Sequence, residues 1–424
     1  MNTPALDGIT VVDLTQALAG PYCTQLLGDF GARVIKIERP GSGDQSRGWG
    51  PPFVEGESSY FMGTNRNKES LSLDLGKPEA REVLHRLIDR ADVLIHNMPR
   101  RGSQAKLGID ADTVRARNPR LIWVAISGFG FSGPEAEKPG YDVIAQGMSG
   151  TMALTGEPES GPMRFPTPMA DITTGMYAAM GILTALYERE RSGQGQELDV
   201  ALLDSQVTWL SNVASAYLAT GTAPPKRGNV HPNIAPYQPF RAADGWFILA
   251  AGTEEHWRRV VEAIAGERDN VGDAATAAAA NTAGPTDASG RVRTELGEDP
   301  RFQSNRDRVA HREAMEELLE RYFSTAPVSR WIEVFEKAGV PCGPILPPEE
   351  ALEHPQLAAR QMILETEHAT AGTVRVLGNP IKLGRTPPEV TRAAPVLGGD
   401  TDQLLQELGF SPEEIEGLRD SEAI

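Results

Sequence analysis

In the first half of the chain, short apolar runs alternate with longer stretches in which apolar residues recur every three or four positions. The short runs are rich in Val, Ile and Leu, as buried strands are, and the longer stretches have the period of amphipathic helices. The predicted strands are residues 8–14, 33–38, 70–75, 92–97, 121–127 and 196–201. Strand, helix and strand in succession form a βαβ unit, which requires a parallel sheet. We therefore predict a doubly wound α/β domain with its site at the carboxyl ends of the strands.

The second half of the chain predicts a change of domain. Residues 1–218 form the first part of a large domain, and residues 219–235, which mix Gly, Pro and basic residues, form a linker. Residues 236–338 are predicted to be a small α+β domain, within which residues 269–290 are an Ala-, Thr-, Gly- and Asp-rich insertion that we expect to be disordered. Residues 339–424 return to the large domain. The length of 424 residues fits two domains better than one core.

Composition places the chain among water-soluble proteins. Hydrophobic residues make up 40% of it, and no apolar run approaches the roughly 20 residues needed to cross a bilayer. The N-terminus has no secretory signal, and two cysteines, Cys23 and Cys342, cannot form a disulfide framework. We therefore expect a cytoplasmic protein.

Charge and motif content narrow the classes of ligand. A formal net charge of −17 argues against nucleic acid and against an anionic membrane, although a few local cations still allow an anionic small molecule. The seven histidines are scattered without metal-binding spacing, so we expect no metal. The glycines after the first strand do not form Gly-x-Gly-x-x-Gly, which disfavours a nicotinamide enzyme.

One acid stands at the start of the longest apolar helical pattern. A Pro-rich approach delivers Asp171 to a helix predicted to run to about Arg189, and small residues line that helix. Asp171 is predicted to be an N-cap for the orphan amides of the first turn, a functional carboxylate, or both, because the helix N-terminus that a cap would satisfy also keeps the carboxylate ionised. Arg39, at the end of the second strand, either contacts a phosphate or pairs with an acid such as Glu38 or Asp44.

Seven short motifs occur together in one order along the chain. They are residues 14–21 (LTQALAGP), 34–44 (VIKIERPGSGD), 65–68 (NRNK), 140–143 (GYDV), 170–175 (ADITTG), 338–344 (AGVPCGP) and 395–398 (PVLG). In these motifs the chain resembles the class III CoA-transferase family, which also contains the α-methylacyl-CoA racemases. The similarity covers nearly the whole chain except residues 269–290, and it is strongest to the branch that transfers CoA from succinyl-CoA to dicarboxylates.

The resemblance implies a fold, an assembly and a set of site residues. It implies a Rossmann-like large domain completed by the C-terminal segment, a small domain, and two chains interlocked in a homodimer. It implies that Asp171 is the catalytic residue. The residues implied to position the substrate or an intermediate are Tyr141, Gln16 and Gly130. The residues implied to bind CoA are Ala17, Arg39, Leu73, Asn97, Met98 and, after a one-residue adjustment, Lys106. CoA and its thioesters are substrates, and no prosthetic group is implied.

The implied reaction moves CoA from an acyl-CoA to a small carboxylic acid through an aspartyl anhydride and an aspartyl-CoA thioester. One alternative is a 2-methylacyl-CoA racemase, in which a histidine works opposite the aspartate. Tyr141 occupies that position here, and a tyrosine with a pKa of about 10 is poorly matched to proton abstraction at neutral pH. A second alternative is a CoA-binding protein without turnover.

The acceptor acid is predicted less directly. Leu18 replaces a glutamine of the formyl-CoA:oxalate enzymes, and residues 250–255 replace their run of glycines, which argues against oxalate. Residues 49–53, 65–68 and 235–238 are similar to the dicarboxylate branch. A dicarboxylate needs a cation for its far carboxylate. The available cations are Arg47, Arg164, Lys226, Arg227 and His231.

Overall fold

A computed structural model describes residues 3–136, 138–270 and 295–424, so most of the predicted insertion at 269–290 lies outside the described residues. Their contacts form two compact units. The first unit comprises Met1–Ala153, Met163–Pro224 and His354–Ile424. The second comprises Leu154–Pro162 and Pro225–Glu353.

The chain begins with eight strands and ten helices. The strands are β1 (Thr10–Leu14), β2 (Arg33–Glu38), β3 (Phe53–Val54), β4 (Glu57–Ser58), β5 (Lys68–Ser72), β6 (Val93–His96), β7 (Ile122–Ser127) and β8 (Glu197–Ala201). The helices are α1 (Ala19–Asp29), α2 (Ser59–Met62), α3 (Pro78–Ile88), α4 (Arg101–Leu107), α5 (Ala111–Arg117), α6 (Asp142–Met148), α7 (Thr151–Leu154), α8 (Met169–Ser192), α9 (Leu202–Val207) and α10 (Ser211–Thr220). Short 3₁₀ turns lie at Gln45–Gly48 and Thr208–Leu210.

Six of these strands form one parallel sheet in the order β5-β2-β1-β6-β7-β8. Counted along the chain, this is the order third, second, first, fourth, fifth, sixth, which is the Rossmann order. The direction of strand addition reverses between β1 and β6, where Leu14 lies beside His96. In open parallel sheets, ligands bind outside the carboxyl ends of the strands at this reversal. The predicted parallel α/β architecture is confirmed.

The sheet has a hydrophobic core on each face because its side chains alternate. Val12 and Leu94 point into a core with α3, whereas their neighbours Val11 and Val93 point into a core with α1 and α8. Residues buried on both faces explain why the strands are continuous apolar runs in the sequence. The helices on the two faces make the sheet doubly wound.

Helix α8 packs closely against α1 through a small residue. A Cβ placed on Gly175 would lie 2.6 Å from the carbonyl oxygen of Ala19, so only glycine permits this approach. With 24 residues, α8 is also the one helix in the described part of the chain that is long and apolar enough to cross a membrane. The sequence had indicated no such segment. Half of its most apolar window is buried within the protein, as in the core helix of a water-soluble protein.

The second unit is built on a small antiparallel sheet. Its strands are β9 (Tyr237–Arg241), β10 (Trp246–Ala250) and β11 (Cys342–Pro344), in the order β11-β10-β9. Its helices are α11 (Glu254–Asn270), α12 (Glu295–Glu298), α13 (Asn305–Ala310), α14 (Arg312–Phe323), α15 (Val328–Lys337) and α16 (Pro348–Leu352), with a 3₁₀ turn at Pro300–Phe302. Because Cys342–Pro344 pairs with β10, residues 339–353 belong to this unit, whereas the sequence had placed their return to the large domain at 339.

The C-terminal segment lies in the first unit. It contains α17 (Pro355–Ala359), the hairpin β12 (Ile363–His368) and β13 (Gly372–Leu377), then α18 (Thr401–Glu407) and α19 (Pro412–Asp420). Leu405 and Leu418 from the last two helices are buried in the same core as α3. The amide of Ser72 donates to the Thr401 hydroxyl over 3.0 Å, so the segment is also tied to the edge strand.

Candidate active site

A cleft of about 630 Å³ opens in the first unit at the carboxyl ends of β1, β6 and β7. It is the place that the strand order indicates, because β1 and β6 flank the reversal. The residues that follow these three strands and line the cleft are Gln16, Ala17, Asn97, Met98 and Gly128. Asp171, Asp142 and Tyr141 line it as well, from α8, α6 and the residue before α6.

Gln16 and Asn97 join the two loops that flank the reversal. The Gln16 amide donates to Asn97 Oδ1 over 3.2 Å, and Asn97 Nδ2 donates back to the Gln16 carbonyl over 2.8 Å. The side-chain amide of Asn97 therefore holds the β1–α1 loop in place from the neighbouring strand. Asn97 was predicted to contact CoA, and the structure shows that it holds the neighbouring loop through these two hydrogen bonds.

Buried charges hold the next residue of that loop. Ala17 has a φ of +70°, a left-handed conformation that costs a residue with a Cβ about 1–2 kcal/mol. Its amide donates to Asp44 Oδ1 over 3.1 Å, and Asp44 Oδ2 lies 2.9 Å from Lys36 Nζ. Lys36 also donates to the Thr15 carbonyl over 2.8 Å. Burial alone would raise the pKa of Asp44, but Lys36 and the hydrogen bonds lower it below its usual range.

Asp171 is not the cap of its helix. Pro168 is the N-cap residue of α8, and Asp171 is the third residue of the first turn. The orphan amides are instead taken by Asp142, whose Oδ1 accepts from Ala170 over 2.8 Å and from Asp171 over 3.4 Å. The capping interpretation is therefore wrong, and the Asp171 carboxylate is left to face the cleft.

The pKa of Asp171 also differs from the expectation that the helix N-terminus keeps this carboxylate ionised. Burial, and then the charge of Asp142, raise the pKa of Asp171 to about 7. The helix N-terminus alone would favour the ionised form, but loss of hydration and a like charge oppose it. At neutral pH the carboxyl is thus close to half-ionised.

A buried glutamine fixes the geometry around Asp142. Gln146 Nε2 donates to Asp142 Oδ2 over 2.7 Å, and its Oε1 accepts from the Phe165 amide over 2.8 Å. Each end of the amide has one role, so its orientation is determined. Gln146 thereby connects Asp142 to the Pro-rich segment that leads into α8.

Three aromatic residues line the cleft, Trp49, Tyr60 and Tyr141, and sequence reasoning missed Tyr60. Tyr60 meets the Trp49 ring edge to face at 4.9 Å between centroids. Burial, and then the charge of Asp171, raise the pKa of Tyr60 to about 12, so its hydroxyl stays protonated and can donate a hydrogen bond. Tyr141 is 60% exposed at the cleft surface and available to a ligand.

Four residues predicted for the site are not among those that line the cleft. Leu73 is 2% exposed and belongs to the hydrophobic core. Arg39 and Lys106 are exposed elsewhere on the first unit. The Gly130 amide donates to Ser127 Oγ over 2.8 Å, so it is already used within its loop.

Two further features bear on what the cleft can bind. Helix α1 starts there with Leu18 and Ala19 in the wall and has no side-chain cap, so its first turn favours an anionic group. Across the described ranges, no three His, Cys, Asp or Glu side chains are grouped as metal ligands would be.

Sequence reasoning missed Asp142 and Tyr60. It named Arg164 as one of five candidate cations, without indicating that Arg164 is the one that lines the cleft. Asp142 was within reach, because it follows Tyr141 in the motif at 140–143. Tyr60 carried no such signal, since it lies between the motifs.

Comparison with known proteins gives a consistent assignment. The family model described as CoA-transferase family III matches residues 6–288 and 286–401. A succinate–glutarate CoA-transferase of Agrobacterium fabrum is 39% identical over 416 residues, which is 96% of each chain. An acetyl-CoA:oxalate CoA-transferase of Acetobacter aceti is 38% identical over 93% of this chain and 95% of its own. The crystal structure of a CaiB/BaiF family protein from Brucella suis superposes with a TM-score of 0.82 at 38% identity, covering 96% of this chain and all of that one.

Proposed function

The chain belongs to CoA-transferase family III and is an enzyme that uses CoA thioesters, and on that premise we propose that it transfers CoA from an acyl-CoA, succinyl-CoA in the first instance, to a dicarboxylic acid, with Asp171 as the nucleophile. The observation that carries the proposal is the position of Asp171. Its carboxylate is not used as a helix cap and faces a cleft at the reversal point of the sheet.

Each proposed step exchanges one acyl bond for another. An oxygen of Asp171 attacks the thioester carbonyl, the C–S bond breaks, and a mixed anhydride and CoA thiolate result. The thiolate attacks the Asp171 carbonyl, which releases the donor acid and leaves an aspartyl-CoA thioester. The acceptor carboxylate then attacks that thioester, and the thiolate returns to the new acyl group, so Asp171 is regenerated. A thioester is consumed and a thioester is formed, so the reaction needs no ATP.

The cleft offers groups for the charges that develop. The uncapped first turn of α1 presents amides where Leu18 and Ala19 line the wall, and these suit a tetrahedral oxyanion. The protonated Tyr60 hydroxyl is a second donor close to Asp171. The Gly128–Gly133 loop is a weaker choice, because the amides of Gly130 and Phe131 already donate to Ser127 and Asp199.

Support for dicarboxylates comes from the relatives and is not uniform. The Agrobacterium protein is named for succinate and glutarate, whereas the Acetobacter protein is named for oxalate at nearly the same identity. Oxalate is therefore included as an acceptor despite the departures at Leu18 and residues 250–255. All these acids have two carboxylates.

A transfer assay tests the proposal. Succinyl-CoA is incubated with glutarate, oxalate, acetate or valerate, and new CoA thioesters are measured by liquid chromatography with mass detection. We expect a thioester of a diacid with wild type and none with Asp171→Ala. If monoacids alone are converted, the substrate assignment is wrong; if no acid is converted, the transferase proposal fails for these donors and acceptors.

Racemisation of a 2-methylacyl-CoA is the second candidate, and the pKa of Asp171 near 7 favours it, since such a carboxyl suits proton transfer. Entry of solvent deuterium at the acyl α-carbon, without acyl exchange, would establish it. A protein that only binds CoA would show unchanged CoA affinity in Asp171→Ala and no conversion in either assay.

We also propose that two chains form the interlocked homodimer of the family. Along α8, the side chains of Met176, Met180 and Tyr187 are exposed by 53%, 55% and 70%. They recur at helical spacing, and α10 has no buried residue at all. Apolar faces of this extent are typical of covered surfaces. Light scattering should give the mass of two chains for wild type, and Met180→Glu should lower the fraction of dimer; a monomeric wild type would contradict the proposal.

A further inference from the structure

The charges of the cleft are unevenly distributed. Two carboxylates, Asp142 and Asp171, lie in its wall, and Arg164 is the one basic side chain among the described lining residues. Within that part of the chain Arg164 is exposed and makes no hydrogen bond or ion pair. An unengaged guanidinium in the same cleft as two carboxylates is available to a ligand.

The backbone on both sides of Arg164 is fixed. The Met163 amide donates to the Met152 carbonyl over 3.0 Å, and the Phe165 amide donates to Gln146 Oε1 over 2.8 Å. Gln146 is 1% exposed and is itself held by Asp142 over 2.7 Å. The residue that caps the Asp171 helix therefore also anchors the segment that carries Arg164.

The other cations suggested by the sequence are engaged or lie in the second unit. Arg47 pairs with Glu38 at 2.7 Å and stacks over the Phe61 ring at 3.7 Å. Lys226 donates to the carbonyls of Ser160 and Gly161 over 2.9 and 2.8 Å. Arg227 and His231 belong to the second unit, as Lys226 does, and do not line the cleft.

We propose that Arg164 binds the carboxylate that does not react, in both the donor acyl group and the acceptor, and so sets a preference for diacids. The inference rests on the proposed transferase function. The reacting carboxylate loses its charge when it becomes a thioester, but the second one stays ionised throughout. In a cleft that also holds Asp142 and Asp171 that charge is repelled, and a guanidinium offers it two parallel hydrogen bonds. One arginine serves both half-reactions because each substrate keeps one free carboxylate.

Kinetics of Arg164→Gln and Arg164→Lys test the inference, with Arg306→Gln as the matched control, since Arg306 is an exposed arginine of the second unit. Glutarate and valerate, a diacid and a monoacid of equal carbon number, are compared as acceptors. Loss of a charged hydrogen-bonding group should raise KM for glutarate about 10- to 100-fold in Arg164→Gln, with a smaller change in kcat. Arg164→Lys should recover part of the loss, and Arg306→Gln should resemble wild type.

The failures of the two proposals are distinguishable. If wild type transfers CoA to no acid, the transferase proposal fails first. If wild type uses glutarate and Arg164→Gln leaves its KM unchanged, only the role of Arg164 is refuted. A wild type that prefers valerate, or an Arg164→Gln variant that loses both acids equally, also refutes it. If no variant uses valerate, the role of Arg164 is judged from glutarate alone. A raised KM in Arg164→Gln that Arg164→Lys partly restores supports the role, and an unchanged KM refutes it.

Discussion

Replacement of the central carboxylate should make the protein more stable as well as inactive. Burial and Asp142 raise the pKa of Asp171 from near 4 to about 7. Each pKa unit corresponds to about 1.4 kcal/mol, so ionising Asp171 in the folded protein costs up to about 4 kcal/mol. Because the side chain is partly accessible from the cleft, solvent screening reduces this, and we expect about 2–4 kcal/mol.

The direction in which folding stability changes with pH follows from proton binding. Between pH 4 and 7 the folded chain holds a proton on Asp171 that the unfolded chain has lost, so stability falls as pH rises through this window. Asn at position 171 keeps the shape and has no charge to desolvate. Asp171→Asn should therefore match wild type near pH 4 and exceed it by about 2–4 kcal/mol above pH 7.

Urea unfolding at equal protein concentration, repeated between pH 4 and 8, measures this difference. Asp112→Asn on α5 is the control, because Asp112 is exposed. A stability gap between Asp171→Asn and wild type that does not change with pH would refute the reasoning, and so would an equal gain in the control.

Three further predictions concern the ionisation of Asp171 during catalysis, the packing of α8 against α1, and a buried ion pair. If attack requires the ionised carboxylate, kcat/KM for the acyl-CoA should rise with pH with a midpoint near 7, where the pKa of Asp171 lies, and a flat profile from pH 5 to 8 would contradict this. Gly175→Ala should cost about 1–3 kcal/mol in urea unfolding, because its Cβ would lie 2.6 Å from the Ala19 carbonyl; Gly102→Ala, with no atom within 4 Å of the new Cβ, should not. Lys36→Met should lower the free energy of unfolding by about 3–5 kcal/mol, because it leaves Asp44 buried and unpaired. Lys337→Met, which breaks an exposed pair with Glu333, should lower it by less than about 1 kcal/mol. Equal losses of stability in the two variants would show that the buried pair has no special role.

Local patterns were enough to predict the six strands of the parallel sheet and the place of the site. Strands such as β7 are apolar on both faces, and the order of strands and helices left a parallel sheet as the solution. Parallel strands bring the ends of β1 and β6 to one edge, so the strand order indicated where the site lies, and Gln16 and Asn97 meet there although they are 81 residues apart. The motif order added the identity of the aspartate.

Contacts that depend on exact approach were beyond the sequence. Asp142 and Ala170 are 28 residues apart, and no periodicity indicates that the first caps the helix of the second. The raised pKa of Asp171 depends on that same approach. The helical path from α9 to α10 is interrupted at Ser211, whose φ of +38° no local propensity favours.

Only some of the residues that the family motifs implied for the site lie in the cleft. Asn97 and Met98 lie in the cleft because they follow β6 directly. Leu73 follows the edge strand β5, and its side chain points into the core, whereas Lys106 lies on α4, the helix that follows β6. Their role in CoA binding stays a prediction, as does that of Arg39.

The measurement that tests the central claim most directly is covalent trapping of the acyl-enzyme. The protein is incubated with succinyl-CoA, treated with borohydride, digested and examined by mass spectrometry. An aspartyl-CoA thioester would be reduced to an alcohol at residue 171, and we expect this change at that position alone, dependent on succinyl-CoA and absent from Asp171→Asn. Reduction at another residue, or none in a preparation that transfers CoA, would contradict the account.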